Sequence, residues 1–301
     1  MDTLIKIINE KGLGTYKENV SLKTLTTYKT GGIARLLVFP NSVESLIKII
    51  EIVKENNIKY KIFGNGSNIL ASSNKYDGVI IKLTKLNNLI ENDGQIEVEA
   101  GYNFALLANN MSKKGYTGLE FACGIPATVG GAVYMNAGAY LSDVSNVLTK
   151  VDILDENLEL KTLKNEELEY SYRHSIFMSK NWIILKAYFK LEKGDKDKII
   201  ALINDRKNRR VTSQPLDYPS AGSVFRNPEG QFAGKLIEDS NLKGYTHGGG
   251  QISDKHANFI INKNDATAED IKYLMDLAQS EVEKNYGIKM KIEQELFNWE
   301  K

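Results

Sequence analysis

Cysteine is nearly absent from this chain of 301 residues. Cys123 is the single cysteine, so an intrachain disulfide is excluded. Disulfides persist mainly in oxidising compartments, and one free cysteine is typical of a protein kept in a reducing one. Cys123 also has no histidine or carboxylate partner at the spacing of metal ligands. We therefore expect a cytoplasmic protein without a bound metal.

An excess of charge and long apolar runs are also missing. The chain has 39 basic and 38 acidic residues, whereas dedicated nucleic-acid binders usually carry a basic excess. The longest basic cluster, residues 206–210, is explained as the solvated end of a helix. No apolar run approaches the roughly 20 residues that span a bilayer, and the first residues lack a signal-peptide pattern. We expect a monomer with no nucleic-acid and no membrane partner.

Hydrophobic periodicity gives a coarse secondary structure. It predicts helices over 41–56, 104–114, 196–210 and 267–286, and strands over 35–39, 59–63, 79–83, 96–100, 147–154, 158–163, 182–191 and 288–297. Asn41 with Glu44 resembles a capping box for the first of these helices, and Thr267 and Gly287 bound the last. Strands in pairs with few helices between them favour an α+β fold. A change to a charged helix indicates a domain boundary near residue 193.

Two glycine-rich segments have the composition of a cofactor cradle. Gly64-Asn65-Gly66-Ser67-Asn68 follows a short strand, and its glycines allow backbone N–H groups to approach an anion closely. It is neither a Rossmann fingerprint nor a P-loop, and by itself it equally fits a tight turn. The second segment, residues 124–138, is dense in small residues, which indicates close packing or room for a large ligand. Two such loops together favour a long cofactor.

Four polar segments are candidates for substrate contacts. In residues 170–173 two tyrosines precede an arginine. Ser223 lies among small residues, without the Gly-x-Ser-x-Gly spacing of a hydrolase. His256 follows a run of three glycines. The alternation in the last predicted strand puts Glu293 and Glu295 on one face, so spacing does not choose between them. Each segment alone also has a purely structural explanation.

In their order along the chain, these segments resemble the UDP-N-acetylenolpyruvoylglucosamine reductase (MurB) family. The resemblance covers about residues 22–296. It implies an α+β fold with a two-lobed FAD-binding domain of the vanillyl-alcohol-oxidase type over residues 1–192, its lobes divided near residue 65. A C-terminal α+β substrate-binding domain over residues 193–301 would follow.

The resemblance also implies the cofactors and the reaction. FAD would bind without a covalent bond, NADPH would be the co-substrate, and UDP-N-acetylglucosamine enolpyruvate would be reduced to UDP-N-acetylmuramate for peptidoglycan. Hydride would pass from N5 of the reduced flavin to the enolpyruvyl methylene carbon. The positions that match FAD contacts of the family are Thr30, Gly64, Asn65, Gly66, Ser67, Asn68, Gly124, Pro126, Thr128, Gly130, Gly131, Asn136 and Gly138.

Three positions match catalytic residues of the family. Ser223 would donate the proton that completes the reduction, because an enolate-like carbon is basic enough to take it from an aligned hydroxyl. Arg173 would bind the developing negative charge. Glu295, chosen over Glu293 by its match to the motif, would polarise the reacting end. The substrate-contact positions are Tyr172, Asn227 and His256.

The chain departs from the usual family pattern at three points. Ala127 stands where a glycine is usual, and Ser213 stands where many members have a lysine before Gln214-Pro215. The chain also resembles the shorter branch, which lacks an inserted loop with a substrate-clamping tyrosine. These departures affect the cofactor loop and the binding of the substrate diphosphate.

Two other functions fit parts of the sequence. One is an oxidase of the same superfamily, in which Cys123 or His174 would attach FAD covalently. The other is a nucleotide-sugar binding protein without catalytic activity. The presence of Arg173, Ser223 and Glu295 together argues against both.

Overall fold

A computed structural model describes residues 1–299 of the chain; the last two residues of the predicted C-terminal domain, 300 and 301, lie outside this range. The described residues contain seven α-helices and five short 3₁₀ helices. The α-helices are α1 (Asp2–Glu10), α2 (Val43–Glu55), α3 (Phe104–Lys113), α4 (Val129–Tyr134), α5 (Lys196–Ser213), α6 (Ala233–Asp239) and α7 (Ala268–Tyr286). None of these helices is long and apolar enough to cross a membrane.

Most strands are short. They are β1 (Gly14–Ser21), β2 (Ile33–Pro40), β3 (Lys59–Phe63), β4 (Ile69–Ala71), β5 (Tyr76–Lys82), β6 (Leu89–Asn92), β7 (Gln95–Glu99), β8 (Tyr116–Thr117), β9 (Gly138–Ala139), β10 (Ser142–Asp143), β11 (Leu148–Leu154), β12 (Leu160–Lys164), β13 (Ile183–Lys190), β14 (Glu192–Lys193), β15 (Thr246–His247), β16 (Gly250–Ile252), β17 (Ile260–Asn262) and β18 (Glu295–Phe297).

The strands form two larger sheets and four small ones. The five-stranded sheet has the order β12-β11-β13-β7-β6 and is antiparallel. The four-stranded sheet has the order β1-β2-β5-β3, and β3 runs parallel to β5. The small sheets are β10-β9, β14-β8, β15-β16-β17 and the parallel pair β18-β4. Mixed strands and helices of this kind agree with the predicted α+β class.

The chain forms two compact units. The first unit contains residues 1–18, 36–65 and 78–208, and the second contains residues 19–35, 66–77 and 209–301. The chain therefore passes from one unit to the other inside β1, β2, β5 and α5, and also between Asn65 and Gly66. The functional boundary near residue 193 stays a prediction, because compact units defined by contacts do not test it.

The first unit has its core around the five-stranded sheet. β13 is the central strand, with β11 on one side and β7 on the other. Leu185, Ala187 and Phe189 are buried, whereas Lys186 and Tyr188 between them are less so, which is the alternation expected of a strand with one face on the core. Short α4, which lies within the candidate cofactor segment at residues 124–138, packs on β13 and β7.

The second unit has its core under α7. The helix buries one apolar face, formed by Ala268, Ile271, Leu274, Met275, Ala278 and Val282, against β16 and β17. Its ends follow from local chemistry. Thr267 and Asp270 form a capping box, and Gly287 ends the helix with φ +68°. The predicted bounds of this helix are confirmed.

The start of α2 differs from the prediction. Ser42, not Asn41, is the N-cap, and its hydroxyl accepts a hydrogen bond from the Ser45 backbone N–H at 3.1 Å. Asn41 instead accepts a hydrogen bond from the Ser45 hydroxyl at 2.6 Å and donates one to the Gly12 carbonyl. Both residue types cap helices well, so sequence alone did not separate them.

The predicted strand over residues 288–297 is largely wrong. Only Glu295–Phe297 forms a strand, β18, and Ile292 makes an isolated bridge with Phe225. The predicted alternation of burial holds only at the start of this segment: Met290 is buried between exposed Lys289 and Lys291, but Leu296 is half-buried and Phe297, on the predicted charged face, is buried. Residues 288–294 alternate like a strand but have no continuous neighbouring strand, which periodicity does not reveal.

The β9–β10 hairpin has an unusual two-residue loop. Tyr140 and Leu141 have φ of +55° and +60°, so both lie in the left-handed region, as in a type I′ turn. Such turns favour Asn and Gly, and Leu141 is also fully exposed. The leucine therefore adds strain at this position without burying its side chain.

Leu141→Gly should stabilise the protein by about 1 kcal/mol, because glycine adopts a positive φ without the clash of a Cβ atom. The expected result is a rise of a few degrees in the melting temperature. Leu141→Ala is the matched control, since it removes the side chain but keeps Cβ. An equal rise in both variants would contradict the strain at this turn.

Candidate active site

The loop at residues 64–68 offers unpaired backbone donors. Within residues 1–299, the backbone N–H groups of Asn65, Gly66 and Ser67 donate no hydrogen bond to the protein. Gly66 has φ +66°, and a Cβ there would lie 2.0 Å from the Leu25 carbonyl oxygen. Successive N–H groups left unpaired in a turn form a binding site for anionic oxygens.

The other side of this loop lies against the start of α4. A Cβ on Gly64 would lie 2.9 Å from Oγ1 of Thr128, and the Asn65 side chain donates to the Pro126 carbonyl at 3.2 Å. Thr128 is the N-cap of α4 and accepts a hydrogen bond from the Gly131 N–H at 3.2 Å. The two predicted cofactor segments therefore meet in the first unit.

Four other predicted cofactor positions, Gly124, Pro126, Gly130 and Thr30, differ in exposure and in hydrogen bonding. Gly130 packs on the end of β7: its N–H donates to the Ala100 carbonyl at 2.9 Å, and a Cβ would lie 3.0 Å from the Ala100 Cβ. The glycine therefore provides space rather than a free donor. Gly124 and Pro126 are exposed. In the second unit, Thr30 is fully buried, and its Oγ1 has no hydrogen-bond partner within residues 1–299.

Arg173 lies in a strained turn. Ser171 and His174 pair across the turn, and Arg173 between them has φ +54°. Its Nη2 donates to the Gly138 carbonyl at 2.7 Å, and its guanidinium lies 5.5 Å from the exposed Tyr172 ring. A non-glycine residue in this conformation costs about 1–3 kcal/mol and is often found at functional sites.

A hydrogen bond from Asn136 holds this turn in place. It is buried, with 1% of its surface exposed, and it has φ +42°. Its amide nitrogen donates to the Ser171 carbonyl at 3.0 Å, and its amide oxygen accepts from the Ser145 N–H at 3.0 Å. Predicted as a cofactor contact, Asn136 has a clear structural role beside Tyr172 and Arg173.

Ser223 lies in an irregular loop that two buried amides hold. Gln294 Nε2 lies 3.1, 3.2 and 3.3 Å from the carbonyl oxygens of Ala221, Gly222 and Ser223. Asn258 bonds both the N–H and the carbonyl of Phe225, at 3.0 and 2.8 Å. The role of these amides was not predicted from the sequence, because a glutamine between two glutamates carries no motif.

Glu295 lies directly beside the loop at residues 64–68. β18 pairs with β4, which begins where that loop ends, and the Glu295 N–H donates to the Asn68 carbonyl at 2.8 Å. The Asn68 amide donates to the Glu293 carbonyl at 3.1 Å. A predicted catalytic residue and a predicted cofactor residue are therefore adjacent in the second unit.

The predicted substrate contacts Asn227 and His256 also have defined partners. The Asn227 amide oxygen accepts from the Ala233 N–H at 3.0 Å, at the start of α6. His256 Nδ1 lies 3.2 Å from the Asn258 N–H and accepts from it, so the neutral ring carries its proton on Nε2. Burial lowers the pKa of His256, which favours this neutral form.

Of the two residues considered for covalent attachment of a flavin, Cys123 is disfavoured. Burial raises the pKa of the Cys123 thiol to about 11, so little of the reactive thiolate forms at neutral pH. His174 Nδ1 donates to the Glu169 carbonyl at 3.1 Å.

Within residues 1–299, no group of three or more His, Cys, Asp or Glu side chains is arranged to hold a metal.

Comparison with known proteins identifies the family. Residues 34–164 match a family described as an FAD binding domain, and residues 214–297 match the C-terminal domain of UDP-N-acetylenolpyruvoylglucosamine reductase. The reductase of that name from Anoxybacillus flavithermus is 44% identical over 298 residues, covering 98% of this chain and 99% of the relative. The chain belongs to the UDP-N-acetylenolpyruvoylglucosamine reductase family.

Other members of the family agree. The Bacillus pumilus reductase is 42% identical to this chain, and the match covers 100% of both chains. A crystal structure of the Thermus caldophilus reductase has a TM-score of 0.82 at 32% identity, covering 94% of this chain and 100% of that one. The predicted α+β class, with an FAD-binding domain and a distinct C-terminal domain, is confirmed, and the vanillyl-alcohol-oxidase type of the FAD-binding domain stays a prediction. The chain is a flavin-dependent oxidoreductase of this family.

The residues present fit FAD. Its pyrophosphate is anionic, and the loop around Gly66 offers three unpaired N–H groups. Gly64 and Gly131 keep side chains away from Thr128, so backbone lines this part of the first unit. In the second unit, the buried Oγ1 of Thr30 has no hydrogen-bond partner among the described residues 1–299, which suits contact with a bound ligand.

Gly64→Ala should destabilise the protein by about 1 kcal/mol or more, because its Cβ would press on Thr128 Oγ1, which the cap holds in place. Thr128→Ala alone loses the cap, at about 1 kcal/mol. The double variant should lose less than the sum, measured as unfolding free energy. Thr128→Ser keeps the oxygen, so it should leave the cost of Gly64→Ala unchanged; additive losses in the alanine pair would contradict the contact.

His256 should make the protein less stable in mild acid. An ordinary histidine titrates near pH 6.5, and burial lowers the pKa of His256 in the folded state. As the pH falls below about 6.5, the unfolded chain therefore binds a proton before the folded one does, and stability decreases. The unfolding free energy of His256→Gln should fall less steeply from pH 7 to 5.5, by up to about 1 kcal/mol per pH unit. Equal slopes would contradict the shift.

Proposed function

We propose that the protein reduces the enolpyruvyl group of UDP-N-acetylglucosamine enolpyruvate with NADPH, giving UDP-N-acetylmuramate. The observation that carries this proposal is the adjacency of Glu295 and the loop at residues 64–68, through the Glu295 N–H and the Asn68 carbonyl at 2.8 Å. This contact brings the backbone of Glu295 beside the cofactor loop, and its carboxylate would serve a reduction coupled to proton transfer. The relatives described above are named for this activity, and this chain matches them over nearly their whole length.

The cofactor would be held by the candidate cofactor residues. The N–H groups of Asn65, Gly66 and Ser67 would bind the pyrophosphate, Thr30 would supply a hydroxyl, and the small residues around Thr128 would leave space for the flat ring system. When bound, FAD supplies the transfer of a hydride from NADPH to the methylene carbon of the enolpyruvyl ether. The protein must then bind the substrate carboxylate and deliver one proton.

Arg173 would bind the carboxylate of the enolpyruvyl group. A guanidinium presents a planar fork that matches a carboxylate and stabilises negative charge that develops next to it. The strained turn and the hydrogen bond to the Gly138 carbonyl fix the direction of this side chain. Its orientation is therefore set before the substrate arrives, which lowers the cost of binding.

Ser223 would donate the proton from Oγ to the carbon that carries the carboxylate. Hydride addition to the methylene carbon leaves this neighbouring carbon as a strong base, so a hydroxyl is a sufficient acid when it is aligned. Glu295 would hydrogen-bond the reacting end and stabilise the charge there. Tyr172, Asn227 and the Nε2–H of His256 would contact the rest of the UDP-sugar.

Further features belong to the same proposal. The FAD-binding part would comprise residues 1–192 and the substrate-binding part residues 193–301. The protein would act as a cytoplasmic monomer without a nucleic-acid or membrane partner, in line with its single cysteine and net charge of +1.

Ser223→Ala should separate the two half-reactions. Reduction of the bound flavin by NADPH should be unchanged, because no proton from Ser223 is needed there. Reoxidation by UDP-N-acetylglucosamine enolpyruvate should slow by at least about 100-fold, the usual contribution of a general acid. Both steps can be followed by anaerobic stopped-flow absorbance of the flavin.

Ser220→Ala is the matched control, since it makes the same change three residues earlier in the same loop. It should leave both steps near wild-type rates. Reoxidation of Ser223→Ala at the wild-type rate would refute the assignment of the proton donor.

A further inference from the structure

Gln294 is a buried amide that the proposed mechanism does not use. Only 4% of its surface is exposed, and it lies between two glutamates in the segment before β18. Every polar atom of the side chain is engaged. Oε1 accepts from the Tyr28 hydroxyl at 3.0 Å, and Nε2 faces three successive carbonyl oxygens of the Ser223 loop. Such complete engagement indicates a specific role rather than simple filling of the core.

The partners of Gln294 fix the orientation of its amide. The three carbonyls only accept, so Nε2 must face them. The Tyr28 side chain is fully buried, and burial raises the pKa of its hydroxyl well above the ordinary range, so the hydroxyl stays protonated and can donate to Oε1. The opposite orientation would set an amide oxygen against three carbonyl oxygens, which only accept. Tyr28 is itself fixed, because its carbonyl accepts from the Asn262 amide at 3.0 Å.

The three carbonyls belong to the turn that carries Ser223. Gly222 within it has φ +76°, and no secondary structure supports residues 221 and 222. The Gln294 amide therefore holds the main chain before and at Ser223, and the bridge to Phe259 and the hydrogen bond from the Glu293 N–H to the Val224 carbonyl, at 2.8 Å, hold it after Ser223. The position of the Ser223 Oγ follows from that main chain.

We propose that Gln294, held by Tyr28 and by the three carbonyls, is a positioning residue that aligns the Ser223 hydroxyl for proton donation. The inference rests on the proposed function, since it assigns Gln294 to the step in which Ser223 acts. Gln294 does not touch the substrate. A small displacement of a proton donor is enough to slow its reaction strongly, even when the residue that moves it is remote from the chemistry.

The test compares two buried glutamines of the second unit. Gln294→Met keeps the size of the side chain but removes its hydrogen bonds. Gln251→Met is the matched control, because Gln251 is 5% exposed and also donates to a backbone carbonyl, that of Gly244 at 3.0 Å. Both variants should lose some thermal stability. The two half-reactions are then measured separately, with NADPH and with UDP-N-acetylglucosamine enolpyruvate.

In Gln294→Met, the UDP-sugar should reoxidise the flavin about tenfold or more slowly than in the wild type. kcat should fall, KM for the UDP-sugar should stay nearly unchanged, and NADPH should reduce the flavin at the wild-type rate. Gln251→Met should match the wild type in both steps. The inference is overturned if Gln294→Met reoxidises normally or if both of its steps slow equally. If wild-type flavin is not reoxidised by the UDP-sugar at all, the proposed function itself has failed.

Tyr28→Phe gives a second, milder route to the same result. It leaves the amide in place but removes the donor to its Oε1, so reoxidation alone should slow by about threefold, within the usual loss of one hydrogen bond. The effects of Tyr28→Phe and Gln294→Met should not add, because both act through one amide. If Gln294→Met does not fold, Tyr28→Phe decides: reoxidation at the wild-type rate overturns the inference.

Discussion

Buried side-chain amides hold the loops on which the candidate catalytic residues lie. A loop away from water must satisfy its backbone N–H and carbonyl groups without the regular ladders of helices and sheets. An amide suits this task, because it carries donors and an acceptor on one flat group. Asn136 does this below Arg173, and Gln294 and Asn258 do it around Ser223. The proposed roles of Arg173 and Ser223 depend on these three side chains.

The same loops concentrate unfavourable backbone geometry. Arg173 and Asn136 both have positive φ, which is unfavourable for a residue with a Cβ, whereas Gly222 beside Ser223 adopts positive φ without this cost. These conformations persist because hydrogen bonds from buried groups compensate their cost, and their direction is then fixed before a ligand binds. In the cofactor loop, a glycine avoids this cost. Glycine at position 66 removes the Cβ that would strike the Leu25 carbonyl, and so N–H groups stay free for an anion.

The sequence predicted the elements that local chemistry determines. α7 has both of its end signals in the chain, and β3 has the bounds predicted for a short strand that leads directly into Gly64. Residues 288–294 were predicted wrongly, because alternation records which face is buried and not whether a neighbouring strand exists. Motifs indicated which loops carry the site. The amides that hold those loops were not predictable, since their partners are backbone groups distant in sequence: Gln294 contacts Ala221, and Asn258 contacts Phe225.

The central claim is that one protein carries out both a flavin reduction by NADPH and a flavin reoxidation by an enolpyruvyl sugar. Anaerobic absorbance of the purified protein tests it most directly, with NADPH added first and UDP-N-acetylglucosamine enolpyruvate second. The account predicts a yellow protein that bleaches with NADPH and regains its colour with the UDP-sugar in the absence of oxygen. Recovery of colour with oxygen alone would contradict the assigned substrate, and a protein that stays colourless after addition of FAD would contradict flavin binding.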